Sequence, residues 1–117
     1  MTIQRIVPNL KVADAQVAHE FYLDFLGLEP GFNLGWIANF RSPDQRQAQI
    51  SLVSRDASAA EDSVISVDLG DVDAAYARAQ QLGYQIVHPL TDEPWGVRRF
   101  FVRDPHGLVI NILGHPE

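Results

Sequence analysis

A strand, a capping aspartate and a helix stop occur twice in this chain at nearly constant spacing, and this repeat limits the folds open to it. Leu10-Lys11-Val12-Ala13-Asp14 lines up with Val67-Asp68-Leu69-Gly70-Asp71, 57 residues on, and Leu26-Gly27-Leu28 lines up with Leu82-Gly83-Tyr84, 56 residues on. Two copies of one supersecondary unit imply a pseudo-two-fold arrangement with a groove between the copies. At 117 residues, 46% of them apolar, the chain is one domain with enough material for a real core.

The first copy begins with a β-rich stretch, Ile3 to Val12. Pro8 removes a ladder donor from it and is expected at an edge, a bulge or a bend. Asp14 is an N-cap candidate. Val17, Phe21 and Phe25, with Tyr22 and Leu26, recur at three and four residues, predicting an amphipathic helix over Asp14 to Leu26 closed by Gly27. Strands are expected at Leu28 to Asn33, Gly35 to Arg41 and Gln47 to Ser54, followed by a polar, Ala-rich linker from Arg55 to Asp62. The second copy places a strand at Ser63 to Leu69, a helix capped by Asp71 with Val72, Ala75, Tyr76, Ala79 and Leu82 on one side, a stop at Gly83, and a strand at Tyr84 to Val87.

A hairpin closes the second copy. Arg98 to Arg103 is strand-like, Asp104-Pro105-His106-Gly107 has the composition of a tight turn, and Leu108 to Leu113 returns as a β-branched, apolar strand. Before it stands Pro94-Trp95-Gly96, and within its second strand Asn111 interrupts the apolar run.

These elements make an α+β fold of two tandem βαβββ modules, residues 1–56 and 63–117, forming one cupped mixed sheet. The spacing and the runs Phe21-Tyr22-Leu23-Asp24-Phe25-Leu26-Gly27-Leu28, Asp71-Val72-Asp73-Ala74-Ala75-Tyr76 and Arg103-Asp104-Pro105-His106-Gly107 resemble the vicinal oxygen chelate superfamily. That superfamily holds glyoxalase I, extradiol dioxygenases, fosfomycin-resistance enzymes and bleomycin-resistance proteins. The resemblance covers essentially the whole chain.

Metal enzymes of that superfamily draw His, Gln or Glu ligands from four strand positions. By the flanking motifs these fall here on Val7, Ser51, Val64 and Asn111. A divalent cation needs charged or imidazole donors within roughly 2.0–2.2 Å, and two aliphatic side chains, one hydroxyl and one amide do not supply them. No Ser-His-Asp spacing, phosphate loop or converging carboxylate pair suggests another catalytic set. His19 reads as a surface residue of the first helix, His88 as a surface or loop residue, and His106 and His115 as loop and terminal residues. The chain therefore reads as a binding protein without catalytic residues, metal or other cofactor. A metal-dependent lyase or dioxygenase of the same fold, or a housekeeping binding subunit, are the alternatives.

Within the superfamily the resemblance is nearest to the metal-free bleomycin-resistance proteins, which share the acidic residue, Pro-Trp-Gly, Arg-bearing strand and Arg-Asp-Pro-x-Gly run seen from Glu93 to Gly107. It implies aromatic walls at Phe32, Trp36 and Trp95 that grip a flat or cationic ligand. Neutral hydrogen-bonding groups at Asn9, Ser51, Ser66 and Asn111, and Arg99, would complete the site. Val97 to Val102 stands one residue longer than in those proteins, leaving open which of Arg98, Arg99 and Phe100 face inward. The resemblance further implies a homodimer that exchanges its first strand and forms the ligand groove between subunits.

Fifteen acidic against nine basic residues give a net charge of −6. This disfavours nucleic acid as a partner and tolerates a cationic ligand. With no cysteine, no leader-like segment and no apolar span, a cytoplasmic protein away from the membrane is expected.

Overall fold

A computed structural model describes residues 2–115, so the outermost expected module limits, at residues 1, 116 and 117, lie outside the described residues. The described residues form eight strands: β1 (Arg5–Lys11), β2 (Glu29–Asn33), β3 (Ile37–Arg41), β4 (Gln49–Val53), β5 (Ile65–Asp68), β6 (Ile86–Asp92), β7 (Arg98–Arg103) and β8 (Val109–Gly114). They form one mixed sheet in the order β2-β3-β4-β1-β5-β8-β7-β6. The order within the first module, β2-β3-β4-β1, is mirrored by β6-β7-β8-β5 in the second. The repeat read in the sequence thus becomes a pseudo-two-fold about the antiparallel β1–β5 pair.

Alternation along each strand sorts the side chains. On the helix side, Phe100, Val67 and partly buried Ile110 and Ile112 pack against Val72, Ala75 and Ala79 of helix α1 (Val72–Gln81). Tyr76 meets the Phe100 ring edge-on at 4.9 Å. A second core cluster joins Ala15, Ala38, Phe40 and Leu52 in the first module. The opposite strand face carries Val7, Asn9, Ser51, Ser66, Arg99 and Asn111, and it is this face that the sheet curls around.

The two modules differ where the sequence predicts equal helices. In the second, Asp71 accepts a hydrogen bond from the Ala74 amide at 3.1 Å and α1 follows. In the first, the expected helix over Asp14–Leu26 is replaced by turns and a π-helical segment, Phe21–Phe25. The Asp14 carboxylate takes the Gln16 amide, two residues on, at 2.9 Å, closing a turn in place of a helix cap. The Ala15 amide is committed to Ser54 Oγ at 2.7 Å, its side chain is fully buried, and Ala18 takes a left-handed φ of 64°. These ties hold the chain off helical dihedrals until His19. The π segment then adds a residue to its turn, so the expected apolar face swings round. Val17, Phe21 and Phe25 are exposed, while Tyr22 and Leu23 pack inward and Tyr22 stacks on Phe40 at 5.3 Å.

Of the placements expected for Pro8, the sheet edge is ruled out, because β1 lies at the centre of the sheet. Residues 5–8 pair with β5 and residues 9–11 with β4, so β1 changes neighbours just after the proline. The Asn9 amide donates to Val64 O at 2.9 Å. By alternation the Pro8 nitrogen points to the other side, where β4 has not yet begun to pair, and its missing N–H breaks no ladder bond. β6 is longer than its expected counterpart and, as an edge strand, holds Pro89 within the register shift between His88 and Thr91. Among the described residues no helix is long and apolar enough to cross a membrane.

Candidate functional site

The eight residues singled out in the sequence, Asn9, Phe32, Trp36, Ser51, Ser66, Trp95, Arg99 and Asn111, all line one cavity of about 310 Å³ on the concave face of the sheet. They come from both modules of a single chain. Asn9 on β1 sits beside Ser51 on β4, and Ser66 on β5 sits beside Asn111 on β8. These two parallel pairs are related by the pseudo-two-fold, and their inward side chains form the floor.

The floor is a network of neutral groups. Asn9 Nδ2 donates to Ser63 Oγ at 3.0 Å and Ser66 Oγ at 2.9 Å, and Asn111 Nδ2 donates to the same Ser66 Oγ at 3.0 Å. Asn39, next to Ser51 on β3, donates to Ser51 Oγ and to Gln49 Oε1, both at 3.1 Å. Asn39 was not singled out in the sequence, although it interrupts an apolar strand as Asn111 does. Its side chain lies against Gly31, where an added Cβ would fall 2.0 Å from Asn39 Oδ1. Gly31→Ala is therefore expected to push Asn39 off Ser51 and destabilise the fold by about 1–3 kcal/mol. Denaturant midpoints check this, and most of the cost should vanish in an Asn39→Ala background.

Trp36 stands just before β3 and Trp95 in the β6–β7 turn, and their rings meet edge-on at 5.4 Å, joining the two modules across the cavity. Phe32, 44% exposed, occupies the lip. The Trp95 turn is tied by Glu93 N to Val97 O at 2.8 Å and Gly96 N to Glu93 O at 3.1 Å, with Gly96 at a φ of 96° that favours glycine.

Beneath Trp95 lies a buried ion cluster. Arg99 is 3% exposed, and its guanidinium sits 4.9 Å from the Trp95 ring centre and 4.7 Å from that of Phe101. Nε donates to Glu93 Oε2 at 2.6 Å, while Nη1 and Nη2 fork onto Asp56 at 2.9 and 2.8 Å, and Nη2 also reaches Ser58 Oγ at 2.9 Å. Four of its five N–H donors are thus held by the protein. The open question of the sequence is answered by alternation: Arg99 faces the cavity, Phe100 enters the core, and Arg98 turns outward to Asp73 and Asp92. His88, expected in a loop or at the surface, is buried on β6 against Phe101, with Nε2 3.4 Å from Glu93 Oε2 and without a hydrogen-bond partner for Nε2 among the described residues. No pattern in the sequence announces this cluster, because Asp56 and Arg99 are 43 residues apart and meet only through the fold.

Burial alone would raise the Asp56 carboxyl, but the Arg99 hydrogen bonds, the Ala59 and Ser58 amides and the Arg99 charge together hold it below its ordinary 3.8. A carboxyl depressed in the folded state contributes stability above its ordinary value and loses it as pH falls through the lower folded value. Acid unfolding is therefore expected to steepen below about pH 4, and Asp56→Asn is expected to flatten that slope. Thermal midpoints across the acid range measure it. The exposed Asp73, lowered by its hydrogen bond to Arg98, acts in the same direction.

The metal positions inferred from the flanking motifs, Val7, Ser51, Val64 and Asn111, do not form a cation site. Val7, Ser51 and Asn111 line the cavity, Val64 is 42% exposed, and the inward neighbours Asn9 and Ser66 add only neutral groups. Among the described residues no three His, Asp or Glu side chains converge to hold a metal. The carboxylates nearest the cavity are already paired with arginine. This donor set does not fit the divalent ion that metal enzymes of this fold carry.

A cupped sheet built from two mirrored modules is the architecture of a vicinal oxygen chelate domain. Residues 2–112 match the Glyoxalase/Bleomycin resistance protein/Dioxygenase superfamily, and the chain belongs to that family. Among solved structures it is similar to a superfamily member from Vibrio splendidus 12B01, at 20% identity over 97% of this chain and 99% of that one, with a TM-score of 0.69. Methylmalonyl-CoA epimerase from Mycobacterium tuberculosis matches at 21% identity over 98% and 88%, also with a TM-score of 0.69. Homoprotocatechuate 2,3-dioxygenase from Brevibacterium fuscum matches at 22% identity and a TM-score of 0.70; the match spans 98% of this chain and 33% of the dioxygenase. At these identities the likeness is one of fold. No curated protein sequence matches the chain.

Proposed function

We propose that this protein binds a small, flat organic molecule in the cavity and sequesters it, in the manner of the bleomycin-resistance proteins and without a metal. The observation that carries the reading is the lining itself. Two tryptophans from different modules stand over a floor of amides and hydroxyls, and two of these, Ser51 and Asn111, occupy positions inferred for the charged donors of a metal enzyme of this fold. A planar ring against such aromatic faces gains roughly 0.5–1.5 kcal/mol per pair beyond burial, and neutral hydrogen-bonding groups orient it without a desolvated charge.

The test is a tryptophan-fluorescence titration with copper-free bleomycin, since Trp36 and Trp95 are the only two tryptophans and both line the cavity. Saturable quenching at one ligand per chain is expected. An unchanged signal at high ligand concentration removes the drug-binding assignment and turns the search to other flat ligands. Loading with a divalent ion that then supports turnover of a glyoxalase or dioxygenase substrate would overturn the metal-free reading.

The reading includes a homodimer with exchanged first strands. In the structure β1 makes its ladders to β4 and β5 of its own chain. Exchange would rebuild the same ladders between chains and leave the cavity lining unaltered. Light scattering at twice the 13.1 kDa chain mass supports the dimer. A monomer that binds at full stoichiometry removes it and leaves the single-chain cavity in place.

A further inference from the structure

One side of the cavity holds a cation whose donors the protein has mostly left free. Arg5, on β1, lines the cavity with a side chain that is 24% exposed. Its Nε donates to Asp68 Oδ2 at 3.1 Å and its Nη1 to Gln49 Oε1 at 3.0 Å. The other three of its five N–H hydrogens, two on Nη2 and one on Nη1, meet no acceptor among the described residues. Elsewhere the lining is committed. Arg99 has four donors bound, and the Asn9 and Asn39 amides serve Ser63, Ser66, Ser51 and Gln49. A guanidinium can only donate and stays charged, so the polarity of this edge is fixed.

Its surroundings suit an anion. Gln49 Oε1 also accepts from Asn39 at 3.1 Å, and Gln49 Nε2 donates to Arg46 O at 2.7 Å, so Arg5 is braced before any ligand arrives. Asp68 meets Arg5 through a single N–H in place of a fork, and its side chain is 7% exposed, so the charge presented to the cavity is that of the arginine. His115 Nδ1 stands 3.4 Å from the same Asp68 oxygen and brings no negative charge. Asp56 and Glu93 are taken up by Arg99.

Arg5 also lies across the cup from the tryptophans. It pairs with Asp68, Asp68 with Leu113, and Leu113 with Arg99, whose guanidinium lies against the Trp95 ring. Three strand spacings amount to about 14 Å along the sheet and less across its curl, an interval suited to a two-ring aromatic with a polar group at one end.

We propose that the cavity takes an aromatic carboxylate, whose carboxylate accepts from the free Nη hydrogens of Arg5 while its rings reach the Trp36–Trp95 wall. This rests on the reading of the cavity as a ligand site and adds the charge and orientation of the ligand.

2-Naphthoate, 2-naphthamide and 2-naphthylmethylamine share one ring system and present an anion, a neutral acceptor and a cation at pH 7. Calorimetry gives their affinities for the unaltered protein, and the tryptophan indole and Arg5 Nε–H signals of the ¹⁵N-labelled protein report where each sits. Naphthoate is expected to bind at least about tenfold more tightly than naphthamide, with the amine weakest, and to move both the indole signals and the Arg5 signal. In Arg5→Gln the preference for the acid over the amide should disappear. Equal binding of acid and amide to the unaltered protein would overturn the carboxylate assignment and leave the aromatic cavity standing. An Arg5 signal that stays in place as naphthoate saturates overturns the anchor whether or not Arg5→Gln folds, and so does a folded Arg5→Gln that keeps the preference. If no probe moves an indole signal at its solubility limit, both this inference and the ligand-site reading fall.

Discussion

Arg99→Ala is expected to destabilise the protein by about 3–5 kcal/mol, the largest effect of any single polar substitution in the cavity wall. The reason is what it leaves behind. Asp56 and Glu93 are 9% and 6% exposed, and both direct carboxylate oxygens at the guanidinium. Without it, two negative charges remain in a site that water reaches poorly, with Ser58 Oγ the remaining side-chain donor to Glu93, at 2.6 Å. The loss is not the net worth of the ion cluster. Desolvating three charged groups offsets much of their attraction, and a well-packed apolar replacement of the whole set is often neutral or stabilising. The combined Arg99→Met, Asp56→Leu, Glu93→Leu variant should accordingly recover most of the stability that Arg99→Ala loses. Chemical denaturation of both variants against the unaltered chain makes the comparison. A small loss in Arg99→Ala would show that the cluster is solvated in solution.

The cluster also bears on function, because Arg99 underlies Trp95 and fastens the Arg55–Asp62 linker, through Asp56 and Ser58, to the hairpin of the second module. Lys11 reinforces the linker at Asp62, and Arg103 does so at Glu61. Arg99 thus acts on the cavity through its neighbours more than through free donors of its own.

The second large effect concerns ligand. Trp95→Ala is expected to weaken binding by roughly 2 kcal/mol or more, about thirtyfold, while the fold persists. Trp95 is only partly buried and sits on a turn whose backbone hydrogen bonds do not depend on its side chain. Its ring supplies one wall of the cavity and the edge contact to Trp36. Truncation therefore removes a stacking face at little cost to the core. Trp95→Phe should restore part of the affinity, since a smaller ring keeps the face. Circular dichroism and thermal midpoints separate this from unfolding: a collapse of stability in Trp95→Ala would assign Trp95 to the core instead of the site.

Much of this architecture was legible because it depends on local chemistry that recurs. Asp71 caps α1 and Gly83 follows it at a φ of 78°, as the composition of that stretch predicts. The β7 limits coincide with Arg98 to Arg103, and Asp104 to Gly107 form the turn, with Gly107 N bonded to Asp104 O at 2.9 Å. Asn111 stood out as a polar residue interrupting an apolar strand, whereas Asn9 and Ser51 entered the expected groove through the family resemblance alone.

The failures have a common cause. Asp14 has the same residue type and the same place in the repeat as Asp71, yet it closes a turn because Ser54, 40 residues later, captures the Ala15 amide. Pro8 belongs in a central strand because β1 exchanges one neighbour for another beside it. His88 is buried because β6 runs farther than its residues announce and brings the ring under Phe101. The two-module repeat, most of the strands, the α1 cap and the closing turn were readable from side-chain chemistry and period, and the neutral side chains of the cavity floor were readable once the family resemblance placed them. The Arg99 cluster, the broken first helix and the meeting of Trp36 with Trp95 emerged only with the packed fold. Each of these depends on groups distant in the chain competing for the same donor, acceptor or space, and no local pattern records that competition.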